Sequence, residues 1–360
     1  MRILVDIGHP VSFHLWKNTA QILKSKKHDI LFTLLDKDVA AALIQESGFQ
    51  YEVLGKHCGS IFAKIKGLLQ YEKKLFGIVK KFCPDLILSN GSIPASHIAF
   101  LFRIPHIAFE ETGNFEQILL YRYFVSVILT PACLGKNLGK KQISCDTYPA
   151  LAYLHPKYFC PDPNVLDELG IKEHEKFVLL RFVSWAATHD IGHTGLTLEN
   201  KRKAVHEFSK YARVFISSEK ELPSDLEKFK LNLFPEKIHH AIYYAALTYG
   251  EGAAVASESA ILGTPAIYLY NGKISFTHEQ EEKYGAVFNF TESLEDQIHS
   301  IKKGIELLQT PEVKKIWQEK KEQMLKEKID LTAFMVWFVE NYPQSFKLLK
   351  ANPEYQFKFR

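Results

Sequence analysis

Short unbroken apolar runs alternate along this chain with longer stretches in which apolar positions recur every three or four residues. Residues 3–7 are apolar except for Asp6, the texture of a strand buried on both faces. Gly8-His9-Pro10 turns the chain, and 13–25 carries the helical period. Strand-like runs follow at 29–35, 50–54, 86–89 and 106–109, with a helical segment at 39–47. This βαβα order predicts a parallel sheet with helices on both faces. Over 60–82, Ile61, Ile65, Leu68, Leu69, Phe76 and Val79 fall at helical spacing, with Lys64, Lys66, Lys73, Lys74, Lys80 and Lys81 between them. Two readings stand for this helix: a surface helix with one face on the sheet, or a basic amphipathic helix touching an anionic membrane.

The texture changes near residue 155. Pro156, Pro161 and Pro163 stiffen the chain there and mark a domain boundary. The alternation then resumes, with strands at 177–182 and 213–217 and helices at 201–210 and 238–247. Tyr249 to Leu269 reads as a glycine loop, a short helix, a Gly263-Thr264-Pro265 stop and a buried strand. A charged helix at 311–328 and an apolar one at 331–342 follow.

Composition narrows the class. The 360 residues suffice for two domains, and 46% hydrophobic with 24% charged residues is ordinary for a globular protein. The 26 Phe and 16 Tyr are many, enough for a core and for a sticky surface besides. A net charge of +4 is mild, and no nucleic-acid-binding motif is present, so nucleic acid is not an expected partner. Cys58, Cys83, Cys133, Cys145 and Cys160 are odd in number and form no C-x-x-C pair. Reduced cysteines in a cytoplasmic protein are the simple reading, without a disulfide framework or structural zinc. No secretory signal is expected at the N-terminus. The longest near-apolar stretch, 118–133, is broken by Arg122 and Pro131, so no membrane span is expected.

In open α/β sheets, ligands bind beyond the carboxyl ends of the strands. Gly250, Glu251 and Gly252 feed a helix N-terminus, a ready anion site, and that helix carries Ser257 and Glu258. Its carboxylate can accept hydrogen bonds from vicinal hydroxyls, so the block suits a nucleotide diphosphate or is an ordinary loop-helix-strand unit. His9, with His14 a turn away, can take a proton from a hydroxyl nucleophile or merely cap a turn. Glu110 and Glu111, beside Gly113 and Asn114, suit sugar hydroxyls or a base, or a solvated helix start. Asn90-Gly91-Ser92 can line the same place. Arg181 in an apolar strand needs a partner, either a diphosphate helped by Ser184 or a structural ion pair. His189-Asp190 reads as an oriented imidazole or, weakly, a metal pair. Ser218 and Glu219 end a nearby strand, and His239-His240 either shape a base pocket or pack. A Walker loop, a Gly-x-Gly-x-x-Gly after the first strand and a Gly-x-Ser-x-Gly elbow are absent.

Met1 to Pro10, Tyr153-Leu154-His155-Pro156, Arg181-Phe182-Val183-Ser184-Trp185, Arg213 to Glu219 and Glu258 to Ala266 together resemble the bacterial and archaeal family called domain of unknown function 354. The resemblance runs from residue 1 to about 340. That family is similar to GT-B glycosyltransferases and to non-hydrolysing UDP-N-acetylglucosamine 2-epimerases. It implies an α/β chain of two facing Rossmann-like domains with parallel sheets. Residues 1–155 would form the acceptor side, 170–328 the nucleotide-sugar side, and 329–345 a helix returning to the first domain.

The expected function is a metal-independent glycosyltransferase without a cofactor, moving sugar from a nucleotide-sugar, UDP-linked, to an acceptor hydroxyl in cell-envelope glycan or polysaccharide synthesis. Gly250, Gly252 and the helix start would hold the diphosphate, Glu258 the ribose, and Arg181 or Ser184 would offset leaving-group charge. His189, Asp190, Ser218, Glu219, Glu251 and Ser257 would line the donor side. His9, Glu110 or Glu111 would remove the acceptor's proton. The acceptor would be lipid-linked or a glycan, with peripheral contact to the inner membrane face through 60–82. A nucleotide-sugar 2-epimerase and a non-catalytic nucleotide-sugar binder are the alternatives. One departure favours the last: Gly252 and Ala254 stand where the family usually carries Ser and Thr hydroxyls.

Overall fold

The computed structural model describes residues 1–8, 10–36, 40–56, 61–185 and 193–360. In chain order its elements are β1 (Arg2–Ile7), α1 (Pro10–Ser25), β2 (Asp29–Asp36), α2 (Ala40–Glu46), β3 (Gln50–Lys56), α3 (Ile61–Phe82), β4 (Leu86–Ser89), α4 (Ile93–Phe102), β5 (His106–Phe109), α5 (Phe115–Tyr121), β6 (Val127–Pro131) and β7 (Gln142–Cys145). Then come α6 (Leu151–Leu154), α7 (Asn164–Glu168), β8 (Phe177–Phe182), α8 (Leu198–Phe208), β9 (Arg213–Ser218), α9 (Ile238–Tyr244), β10 (Leu247–Gly250), α10 (Ala253–Leu262), β11 (Ala266–Leu269), α11 (Ser275–Glu282) and β12 (Val287–Phe290). Four helices close the chain: α12 (Leu294–Gln309), α13 (Val313–Glu327), α14 (Leu331–Glu340) and α15 (Gln344–Ala351).

The chain divides into two compact units. The first joins Met1–Tyr153 to Lys328–Arg360, and the second is Leu154–Glu327. Among the described residues, the first unit holds a seven-stranded sheet in the order β3-β2-β1-β4-β5-β6-β7. Every neighbouring pair in it is parallel. Chain order reverses between β1 and β4, the point where such sheets leave a crevice beyond their carboxyl ends. Along β1 every residue after Arg2 is buried, Asp6 included. The Thr33 hydroxyl donates to Asp6 Oδ1 at 2.6 Å. Burial raises the Asp6 pKa, while the Ser92 and Thr33 hydroxyls oppose that shift.

The second unit holds five parallel strands in the order β12-β11-β10-β8-β9. Its reversal lies between β8 and β10. Its core gathers Val178, Leu180, Val214, Ile216, Leu247, Tyr249 and Trp317.

One expectation from the sequence is corrected here. The helix expected over 238–247 stops at Tyr244, because Ala245 turns to an extended conformation (φ −60°, ψ 144°) and Leu247–Gly250 pairs into the sheet as β10. A four-residue strand buried on both faces has no period of its own to separate it from a preceding helix. On α3, Leu69 and Phe76 are exposed, while Leu75 and Val79 enter the core with Leu54 and Ile87.

Candidate functional site

At the reversal point of the second unit, Arg181 of β8 lies in register with Gly250 of β10. The Glu251 N–H donates to the Arg181 carbonyl at 2.9 Å. A Cβ at Gly250 would stand 2.0 Å from that carbonyl oxygen, and its φ of +145° suits only glycine. A Cβ at Gly252 would stand 2.9 Å from Arg181 Cγ. Gly252 is the N-cap of α10 and supplies no side-chain hydrogen bond. The first-turn amides of α10 therefore have no capping side chain from Gly252, and the helix dipole is positive there.

The Arg181 guanidinium donates to Ser217 Oγ at 2.8 Å and to Glu219 Oε1 at 2.5 Å. The other Glu219 oxygen accepts the Ser184 N–H at 3.0 Å. Arg181, Ser184, Ser217 and Glu219 thus meet at the carboxyl ends of β8 and β9. Ser218 Oγ accepts the exposed Lys220 N–H at 3.3 Å.

Glu251 is buried and fully used. Its Oε2 accepts the Val183 N–H at 2.9 Å, and its Oε1 accepts the Leu196 N–H at 2.7 Å with Lys201 Nζ at 3.3 Å. It ties the ends of β8 and β10 to the segment before α8. Ser257 Oγ accepts from Gln280 at 3.0 Å. Glu258 Oε1 lies 3.2 Å from His239 Nε2, both side chains buried, so α10 is pinned to α9. His240 instead accepts the Asp162 N–H at 2.9 Å through Nδ1 and packs on Phe159. Burial pushes the His240 pKa down.

Sequence reasoning assigned no role to a stack of aromatic rings nearby. Trp185, His193 and Tyr270 are near-parallel, with centroids 5.8 Å apart between the first two and 4.5 Å between the last two, and Tyr268 continues the stack. Glu292 braces it: Oε1 lies 2.6 Å from His193 Nδ1, while Oε2 accepts the Thr194 and Gly195 N–H groups at 2.8 Å. Burial alone would raise the Glu292 pKa, but these hydrogen bonds outweigh it and hold the carboxyl below its ordinary value. The available signal was positional, since Trp185 follows β8 and Tyr270 follows β11.

In the first unit, Glu110 is buried. Its Oε1 accepts the Thr112 N–H, the Thr112 hydroxyl and the Gly113 N–H at 2.6–2.9 Å, and its Oε2 accepts the Tyr121 hydroxyl at 2.6 Å. That carboxylate fixes the loop after β5. Glu111 is half-buried beside it. Asn90 accepts from Trp16 Nε1 at 2.7 Å, and the Ser92 N–H donates to Ser89 Oγ at 3.1 Å. His14 is half-buried, its ring 5.4 Å from that of Tyr153. His9, His189 and Asp190 lie outside the described residues. Among the described residues no cluster of three or more His, Cys, Asp or Glu could hold a metal ion.

Two parallel-sheet units of this kind define the fold of GT-B glycosyltransferases and UDP-N-acetylglucosamine 2-epimerases. S. aureus MnaA, solved with UDP, superposes with a TM-score of 0.67 at 12% identity, covering 96% of this chain and 97% of that one. The spinosyn forosaminyltransferase SpnP gives 0.65 at 14%, covering 97% and 99%. The UDP-GlcNAc 2-epimerase of Methanocaldococcus jannaschii gives 0.59 at 14%, covering 84% and 92%. The chain belongs to the family described as "Protein of unknown function (DUF354)", whose profile matches residues 1–284. No curated protein matches the sequence.

Proposed function

We propose that this protein is a glycosyltransferase that takes a nucleotide-sugar, UDP-linked, as donor. The observation that carries the reading is that Arg181, in register with Gly250 and with its Cγ against Gly252, stands beside the glycine-flanked start of α10 at the reversal point of the second sheet. A pyrophosphate there meets main-chain N–H groups, a helix dipole and a cation together. Those donors act most strongly on the charge that grows on the leaving diphosphate. The missing hydroxyls at Gly252 and Ala254 leave the amides and Arg181 as the phosphate donors.

Glu258, oriented by His239, takes the ribose hydroxyls, and the Trp185–Tyr270 rings offer a stacking face for the base. Ser257 and Glu251 support that frame from their internal hydrogen bonds. His9 or Glu111 accepts the proton of the acceptor hydroxyl, and Glu110 positions the loop that bears Glu111. The acceptor is a glycan or lipid-linked hydroxyl of cell-envelope or polysaccharide synthesis.

Thermal shift and calorimetry with UDP test the donor claim. Binding should raise the melting temperature by linkage, and Arg181→Ala should weaken UDP at least about tenfold. Folded protein that takes up no UDP at millimolar concentration overturns it. An epimerase shares this fold as the transferases do, with TM-scores of 0.59 and 0.65, and is therefore the rival reading. Proton NMR of UDP-N-acetylglucosamine with enzyme and no acceptor separates them, since inversion at C2 would establish an epimerase instead.

A further inference from the structure

A second surface, independent of the donor site, lies on the first unit. Leu69 and Phe76 stand seven residues apart on one face of α3, 63% and 41% exposed. Phe100 and Leu101 end α4, 61% and 63% exposed, and Leu119, Leu120 and Tyr123 continue from α5. These are one surface, not scattered residues. The Phe76 ring meets Phe102 at 5.0 Å, and Phe100 meets Phe124 at 5.4 Å. His97 joins all three helices, with Nδ1 2.6 Å from Glu72 Oε1 and Nε2 3.1 Å from the Leu120 carbonyl. Lone exposed apolar residues need no explanation, but a patch across three helices does.

Charge says what covers it. Lys66, Lys73 and Lys80 are exposed and lie three or four residues from Leu69 or Phe76, one helical turn along the same surface. Lys74, Lys81 and Arg103 are exposed nearby. Glu72 is the one acidic residue in α3, and His97 already holds it. α4 contains no acidic residue. Large apolar side chains ringed by cations on long stems match the boundary between acyl chains and anionic headgroups.

We propose that the α3–α4–α5 face docks this protein on an anionic lipid surface, Phe100, Leu101 and Leu69 entering the acyl boundary while Lys66, Lys73 and Lys80 sit among the headgroups. Among the described residues no helix is long and apolar enough to cross a membrane, so this contact is peripheral. A lipid-linked acceptor would then be met at the surface where it resides.

The test is co-sedimentation of the full chain with vesicles of phosphatidylcholine, alone or with about one-third phosphatidylglycerol. Binding is expected to the anionic vesicles, to fall with added salt, and to be weak on phosphatidylcholine alone. Combining Lys73→Gln with Lys80→Gln should lower partitioning about thirtyfold on anionic vesicles. Phe100→Ser with Leu101→Ser should lower it at least about tenfold with no drop in melting temperature. Should that pair unfold the protein, Leu69→Ser probes the same face at an exposed position. Absence of binding to anionic vesicles overturns the proposal, as does binding that neither pair of substitutions changes. A concentration-dependent dimer broken by Leu101→Ser, with no vesicle binding, also overturns it and assigns the face to a second copy.

Discussion

At the residue scale, Arg181 shows how a single cation organises a strand end. Its guanidinium is shared between Ser217 and Glu219, and Glu219 also takes the Ser184 N–H. A diphosphate at the start of α10 needs those same donors, so Glu219 competes with it. Glu219→Gln removes the charge and keeps the shape, and calorimetry should show UDP binding a few-fold tighter; weaker binding would mean that Glu219 orients Arg181 for the ligand. Gly250 is constrained more severely. Gly250→Ala places a Cβ 2.0 Å from the Arg181 carbonyl at a φ of +145°, and urea unfolding should report a loss of about 3 kcal/mol or more. A cation in an apolar run announces that it has a partner, so Arg181 was legible in the sequence. The uses of Glu251 and Glu110 were not, because Leu196 and Tyr121, distant in sequence, reach those carboxylates only once the chain has folded.

At the element scale, the strands with nearly continuous apolar runs were readable: β1, β4, β5 and β8 agree with their patterns. What escaped was short or followed a helix without punctuation, as β10 does after α9. The missing mark is Ala245, which departs from helical geometry although alanine is the best helix former. α13 adds a feature no pattern reveals. Lys314 is drawn against α10, its Nζ donating to Thr264 Oγ1 and lying 5.5 Å from the Tyr243 ring centroid. Burial, with Lys321 close by, lowers its pKa from about 10.5 to about 7. Above pH 7 the folded Lys314 sheds its proton, while the unfolded chain keeps it to 10.5. The unfolded state then binds more protons, and this residue's contribution to unfolding free energy rises with pH. Urea unfolding should show that rise from pH 7 to about 8, below the ordinary pKa of thiols and phenols. Lys314→Met should flatten it and stabilise the protein at pH 7 by about 1–3 kcal/mol. An unchanged slope would place the ammonium in water.

At the scale of the whole molecule, the first unit is assembled from both ends of the chain. α14 buries Leu331, Phe334, Met335, Phe338 and Val339, and it packs on α1. Lys328, 1% exposed at its side chain, pairs with Asp146 at 2.7 Å, and the Thr332 hydroxyl donates to the Ala152 carbonyl at 2.7 Å. The Asp330 N–H donates to the Phe359 carbonyl at 2.7 Å, and Gln356 accepts the Asp146 N–H at 2.8 Å. Removing 328–360 strips that apolar cover and leaves the Asp146 carboxylate without Lys328. The burial lost with each large side chain so removed is worth roughly 1.5–3 kcal/mol, and five of them approach the total stability of an ordinary domain. A fragment of residues 1–153 should therefore lack a cooperative thermal transition. Adding 328–360 in trans or through a linker should restore one. The fragment 154–327 carries its own sheet and core and should melt cooperatively by itself. Cooperative unfolding of 1–153 alone, read by circular dichroism and amide proton dispersion, would show that the apolar closing helix covers a core already complete without it.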